Sequence, residues 1–145
     1  MMSEGTPLKV HVTGAYGLIG NLTYRYLNTK DQYDVYGSGR RKASSDRIDE
    51  EDLWQISDDR FFIADLANQE DMLHALNGMD VVVHLGAVPD PDASFEAVLN
   101  SNIVGTYNVL EVCRELGIKR LIYASSIMAS WGYSLFSEPY ASLRA

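Results

Sequence analysis

Cysteine is nearly absent: Cys113 is alone in 145 residues, so no intrachain disulfide can form and a cysteine-rich zinc site is excluded. A reducing compartment is consistent with that. Basic residues are also scarce. Twelve Lys and Arg against 20 Asp and Glu give a formal charge of -8 and a pI near 4.7, which repels phosphate backbones and anionic membranes. Nucleic acid is therefore not an expected partner. Long hydrophobic runs are missing too: the longest, from Val81 to Val88, is interrupted by His84 and is too short to cross a bilayer. The amino terminus, MMSEGTPLKV, lacks a basic start followed by an apolar stretch. A cytoplasmic location without a membrane partner is the expectation. There is no internal repeat, no low-complexity tract and no linker rich in Gly, Ser or Pro, so one domain is expected.

The composition that remains is that of an ordinary globular protein, 46% hydrophobic and 22% charged. Asp outnumbers Glu by twelve to eight and Arg outnumbers Lys by eight to four, a bias also met in salt-adapted organisms. Short β-branched runs at Leu8–Thr13, Asp34–Gly37, Phe61–Ala64, Val81–Leu85 and Leu121–Ala124 read as strands buried on both faces. Between them, Leu18, Ile19, Leu22, Tyr26 and Leu27 form one apolar face at helical spacing. Phe95, Val98, Leu99, Ile103, Tyr107, Leu110 and Leu116 form another, with Asp92 or Ser94 as N-cap and Gly117 as stop. A shorter helix fits Gln69–Leu76, stopped by Asn77-Gly78. Residues 40–60 are polar and acidic and read as a surface connection with one short helix. Alternating strands and helices predict an α/β fold with a parallel sheet, because right-handed crossovers lay each helix over a sheet face.

Directly after the first strand stands Gly14-Ala15-Tyr16-Gly17-Leu18-Ile19-Gly20. Glycine serves where the backbone turns sharply and approaches a pyrophosphate, and a helix N-terminus adds free N–H groups and the positive end of a dipole. The strand before and helix after favour nucleotide binding over a mere turn. The second strand runs into Ser38-Gly39-Arg40-Arg41 with no carboxylate at its tip, which favours NADP over NAD, with Arg40 reading a 2'-phosphate. Surface ion pairing is the alternative for these arginines. Asp65 is suited to accept from an adenine amino group or to cap the next helix. His84 reads as a hydrogen-bonded core histidine, since no cluster of His, Cys or carboxylates suggests a metal. Ser125-Ser126 end the fifth strand at the crevice where open α/β sheets bind ligands, placed either to bond a substrate oxygen or to cap the strand.

In this order, VTGAYGLIG (Val12–Gly20), ADL (Ala64–Leu66), VVVHLGA (Val81–Ala87), NIVGTYNVLE (Asn102–Glu111) and YASS (Tyr123–Ser126) resemble the extended short-chain dehydrogenase/reductase family, the NAD-dependent epimerases and dehydratases. The resemblance spans nearly the whole chain. It implies a Rossmann-like, doubly wound parallel sheet of about five strands in the order 3-2-1-4-5, incomplete relative to the family. Residues 1–145 would form the NAD(P)-binding domain, without the C-terminal strands and substrate region. By the resemblance Gly14, Gly17 and Gly20 line the pyrophosphate, and Tyr16, Leu18 and Ile19 of the same turn join the cofactor site. Asp65 and Leu66 meet the adenine, Leu85, Gly86 and Ala87 run past the ribose and nicotinamide, and Asn102 faces the active site. Ser126 matches the catalytic Ser or Thr, with Ser125 as the lesser choice.

The family's catalytic Tyr-x-x-x-Lys pair has one counterpart, Tyr140-x-x-x-Arg144, with Arg for Lys and set close behind Ser126. The expectation is that Tyr140 is a loop aromatic and that the true pair lies beyond the chain. The stretch from His84 to Ser126 looks most like uronate dehydrogenases and related sugar dehydrogenases, although Ile127-Met128 stand where that group has Asn-His. The implied activity is hydride transfer between NAD or NADP and a sugar or nucleotide-sugar. The alternatives are a non-catalytic NAD(P)-binding sensor and an inactive truncated fragment. A homodimer through the long helix around Phe95–Leu116 is a further implication of the resemblance. Trp131, Tyr133 and Phe136 are read either as a substrate-side loop or as packing aromatics.

Overall fold

The computed structural model describes residues 6–52 and 54–126. Five parallel strands, β1 (Leu8–Thr13), β2 (Tyr33–Gly39), β3 (Phe61–Ile63), β4 (Val81–His84) and β5 (Arg120–Tyr123), form one sheet in the order β3-β2-β1-β4-β5. This is the Rossmann-like order expected from the sequence. Register is regular: Val10 lies opposite Val35 on one side and Val81 on the other, and Thr13 opposite Ser38 and His84. Strand ends shift from the expected ones by one or two residues, as β2 gains Tyr33, Ser38 and Gly39.

Alternation along β1 sends Val10 and Val12 to one face and His11 and Thr13 to the other. The first face packs with Ala15, Tyr24, Val35, Ile56 and Phe61 beneath α1 (Leu18–Asn28). The second meets α2 (Gln69–Leu76) and α4 (Gly105–Glu115), where Met72, Leu76, Val82, Val109 and Val112 are buried. Asn68 caps α2 by accepting from the N–H groups of Glu70 and Asp71, so Asp65 is not that cap. Ser94 caps α3 (Phe95–Val98), while Gly78 (φ +75°) and Gly117 (φ +71°) end their helices as expected.

Two expectations hold only in part: Leu27 and Leu116 pack against the two cores, but most of the rest of each apolar face turns away from them. On α1, Ile19, Leu22 and Tyr26 are exposed (59, 52 and 64%), and the buried residues are Gly20, Asn21 and Tyr24. On the long helical stretch, Phe95, Ile103, Tyr107 and Leu110 face outward, and Gly105, Asn108, Val109, Val112 and Cys113 face inward. A glycine contact sets each rotation. A Cβ at Gly20 would stand 2.0 Å from the Gly14 carbonyl oxygen, and one at Gly105 would stand 2.6 Å from Leu66 Cβ. The stretch is also not one α-helix, because a π-helical turn, Leu99–Val104, joins α3 to α4. Residues 40–60 carry two short 3-10 turns, Glu50–Asp52 and Asp58–Arg60, in place of one short helix.

Candidate functional site

A cleft of about 1020 Å³ opens at the carboxyl ends of the strands. Its walls are the glycine turn (Gly14, Tyr16, Gly17), the end of β2 with the loop after it (Ser38–Arg41 and Ala43–Arg47), Ala64–Leu66, Leu85–Ala87, Pro89–Pro91 and Ser101.

The glycine turn begins with Gly14 in the left-handed region, φ +67°. A Cβ there would lie 2.7 Å from Gly86 Cα, so the turn and the segment after β4 touch backbone to backbone. Gly17 N–H donates to the Gly14 carbonyl (2.8 Å), and Asn21 N–H donates to Gly17 O (2.8 Å), the first bond of α1. The N–H groups of Leu18, Ile19 and Gly20 precede any intrahelical acceptor, and no side chain caps Gly17. A Cβ at Gly17 would meet only Gly14 O, at 3.1 Å, and Gly17 is exposed on the cleft. Gly20 is different: it is buried against Gly14 and lines nothing, so its place is docking the helix. The side chains of Leu18 and Ile19 also lie off the lining.

Tyr16 borders the cleft, but its ring is buried edge-on against Phe61, centroids 4.9 Å apart. Its hydroxyl accepts from Ile56 N–H (3.0 Å) and donates to Gln55 Oε1 (3.4 Å), while its carbonyl accepts from Ser45 N–H (2.9 Å). Tyr16 thus straps the loop after β2 to the glycine turn.

Thr13 holds the opposite wall. Its Oγ1 accepts from the N–H groups of Leu85 (3.1 Å) and Gly86 (3.0 Å). With both lone pairs engaged, its O–H donates to His84 Nδ1 (2.7 Å), which leaves the proton of His84 on Nε2, donated to Thr106 Oγ1 (3.2 Å). His84 is the hydrogen-bonded core histidine expected, stacked on Tyr123, with burial pressing its pKa down to about 4. On the same sheet face, His11 Nε2 pairs with Ser38 Oγ (2.8 Å), its Nδ1 has no partner among the described residues, and burial lowers its pKa to about 3.

Two asparagines on the long helical stretch act on the walls. Asn102, in the π-helical turn, accepts from Val88 N–H (2.8 Å) and donates to Val88 O (3.0 Å); it grips the wall and is not part of it. Its neighbour Ser101 reaches the cleft. Asn108 donates to Leu66 O (2.9 Å), and Leu66 Cδ1 would stand 2.9 Å from a Cβ at Gly86. Asp65 lines the cleft, its Oδ1 accepting from Ala67 N–H (3.0 Å). Arg40 lines it as well, and Leu85, Gly86 and Ala87 are all on its wall.

Ser125 and Ser126 follow β5, exposed and outside the lining. Tyr140 and Arg144, like Ile127, Met128, Trp131, Tyr133 and Phe136, lie outside the described residues. Sequence reasoning missed Arg41, the loop Ala43–Arg47, Pro89–Pro91 and Ser101. The arginine count of the loop was a usable signal; Ser101 had none, because the π-helical turn shifts its direction from an α-helical expectation.

The residues fit a dinucleotide. A cradle that glycine permits at position 14 sits beside helix N–H groups that no side chain caps, in a cleft long enough to reach the loop after β2. Residues 10–134 match the model of the NAD dependent epimerase/dehydratase family. The chain belongs to this family. An L-arabinose 1-dehydrogenase (NAD(P)(+)) of Haloferax volcanii is 35% identical over 119 residues, 81% of this chain and 41% of that protein. Among solved members, uronate dehydrogenase from Agrobacterium tumefaciens superposes with a TM-score of 0.67 at 26% identity, covering 82% of this chain and 41% of that one. UDP-glucuronic acid 4-epimerase from Bacillus cereus, in complex with NAD, gives 0.68 at 27% identity over 90% of this chain and 43% of that one. The chain therefore spans less than half the length of these epimerase/dehydratase relatives, which are NAD(P)-dependent dehydrogenases and epimerases.

Proposed function

We propose that the chain is the NAD(P)-binding portion of an oxidoreductase or epimerase that moves hydride on a sugar or nucleotide-sugar. The observation that carries this is the backbone contact between Gly14 and Gly86 on the cleft wall, which a Cβ at Gly14, 2.7 Å from Gly86 Cα, would break. Gly17 and the first N–H groups of α1 hold the pyrophosphate, Asp65 and Leu66 the adenine, and Leu85 to Ala87 with Ser101 the nicotinamide half. Thr13, Asn102 and Asn108 keep these walls in place through the bonds to residues 85–86, 88 and 66. The dinucleotide, when bound, supplies the hydride acceptor or donor. Ser126, at the end of β5, would donate a hydrogen bond to the reacting substrate oxygen.

The similarity to sugar and uronate dehydrogenases favours a sugar substrate over the other substrates of the family. Incubating the purified chain with NAD or NADP and a panel of aldoses, uronates and nucleotide-sugars, and following reduced nicotinamide, tests this reading. The expected result is saturable binding of NAD or NADP, with any turnover abolished by Ser126→Ala. A folded chain that binds neither dinucleotide would contradict this reading.

A further inference from the structure

We infer that the cleft takes a neutral polyhydroxylated substrate, an aldose rather than a uronate, sugar phosphate or nucleotide-sugar, with Asp90 as the specificity-determining residue and the Ser101 hydroxyl beside it. The inference rests on the reading above, in which the nicotinamide half lies along Leu85 to Ala87, and names the substrate class of that same site.

The charge of the cleft is divided between its ends. Its cations, Arg40, Arg41 and Arg47, all stand at the tip of β2 or on the loop after it. On the other side of the glycine turn, the wall made by the segment after β4 and by Ser101 carries one ionised group among the described residues, Asp90. Hydride passes only to or from a carbon held against the nicotinamide ring, so a substrate that meets the ring also meets the residues just beyond Ala87. A carboxylate there accepts from sugar hydroxyls and repels a second carboxylate or a phosphate.

Ser101 is a second and independent mark of a ligand on that wall. It is 8% exposed and lines the cleft, yet its hydroxyl has no hydrogen-bond partner among the described residues. Buried hydroxyls in native proteins are answered by a partner, and this one faces the cleft, where a ligand hydroxyl can answer it. The π-helical turn Leu99–Val104 aims it there. Asn102 of the same turn bonds both the N–H (2.8 Å) and the carbonyl (3.0 Å) of Val88, so the turn bearing Ser101 and the loop bearing Asp90 are fixed to each other. Asp90 is itself held. Its Oδ1 accepts from Asp92 N–H (2.9 Å), its carbonyl accepts from Ala93 N–H (3.2 Å), and Pro89 and Pro91 restrict the backbone on either side. Together the two groups complement a pair of sugar hydroxyls: the carboxylate accepts from one, and the serine donates to or accepts from the next.

The test is an NMR amide-shift titration of the chain saturated with NAD or NADP, at low salt, with glucose and with glucuronate, which differ by one carboxylate. It is run on the parent, Asp90→Asn, Ser101→Ala and Glu115→Gln. Asparagine keeps the Oδ1 acceptor for Asp92 N–H and removes the charge, while Glu115, exposed at the end of α4 away from the cleft, controls for net charge. The parent binds glucose about tenfold or more tighter than glucuronate, the scale of one like-charge contact at a partly solvated site. That ratio falls toward one in Asp90→Asn, because glucuronate gains, and holds in Glu115→Gln. Ser101→Ala weakens both sugars severalfold and keeps the ratio. Glucuronate binding as tightly as glucose, or a ratio that survives Asp90→Asn, overturns the inference. Sugar affinities unmoved by Ser101→Ala overturn the part given to Ser101. A chain that binds the dinucleotide but neither sugar overturns the inference and leaves the cofactor reading standing, and a folded chain that binds no dinucleotide overturns both.

Discussion

Gly17 and Gly20 stand three residues apart in one motif, yet a methyl group at each meets different surroundings. At Gly20 it would be 2.0 Å from a carbonyl oxygen that has nowhere to go, so Gly20→Ala lifts α1 off β1 and costs about 1–3 kcal/mol or more, read as a fall in Tm. At Gly17 it would face the cleft, so Gly17→Asp keeps the circular dichroism spectrum and loses nucleotide binding, its carboxylate repelling the pyrophosphate. The motif marked both glycines as cofactor-binding, and the difference was invisible because it depends on which neighbour the helix lands on. Histidine also acts at this scale. His11 and His84 are held neutral, at about 3 and about 4, below the ordinary imidazole value of about 6.5. Their folded values are depressed, so the stability they contribute is complete above pH about 6.5 and is lost as pH falls toward about 4. Tm measured against pH should drop over that window, and His11→Gln should flatten the drop. Protonation of His84 would also place a second donor against Thr13, whose lone pairs already serve Leu85 and Gly86, so nucleotide affinity falls only as pH drops through about 4.

Helices α1 and α4 show where sequence reading reached its limit. Their existence, the glycine stop of α4 and the strands beside them followed from periodicity and β-branched runs. Which face points inward did not, because the largest apolar residues were taken to mark the core side. Small residues decide it instead: Gly20 and Gly105 allow backbones and Leu66 to come close, and the helices turn to suit, leaving Ile19, Leu22, Tyr26, Tyr107 and Leu110 outside. Tyr107→Glu on α4 is therefore expected to change monomer stability by less than about 0.5 kcal/mol, as a surface substitution does. Val109→Asp, two residues on and fully buried, is expected to prevent folding. Denaturant melts of the two variants distinguish the observed rotation from the one read off the sequence, under which the order would reverse. Asn108→Ala, which frees the Leu66 carbonyl, is expected to weaken nucleotide binding severalfold with a smaller effect on Tm.

The described residues form a five-stranded sheet whose cleft is assembled at the strand ends by three polar clamps and two glycine contacts. A parallel α/β sheet was legible in the strand–helix alternation, and its order and the cleft location followed from the family resemblance that the five motifs carry. The loop wall Ala43–Arg47 was not, because its residues carry no periodicity and gain their place only through Tyr16 and Ser45. The exposed stripe Phe95, Ile103, Tyr107 and Leu110 is an apolar face of the kind that pairs protein chains. The homodimer expected from the resemblance would use it, and light scattering that finds a monodisperse monomer disposes of that expectation. Among the described residues no helix is long and apolar enough to cross a membrane. The central claim is that this cleft holds a nicotinamide dinucleotide. Titration of the purified chain with NADPH and NADH, followed by nucleotide fluorescence with Gly17→Asp alongside, tests it most directly. The account predicts saturable binding that Gly17→Asp loses; a chain folded by circular dichroism that binds neither nucleotide would contradict it.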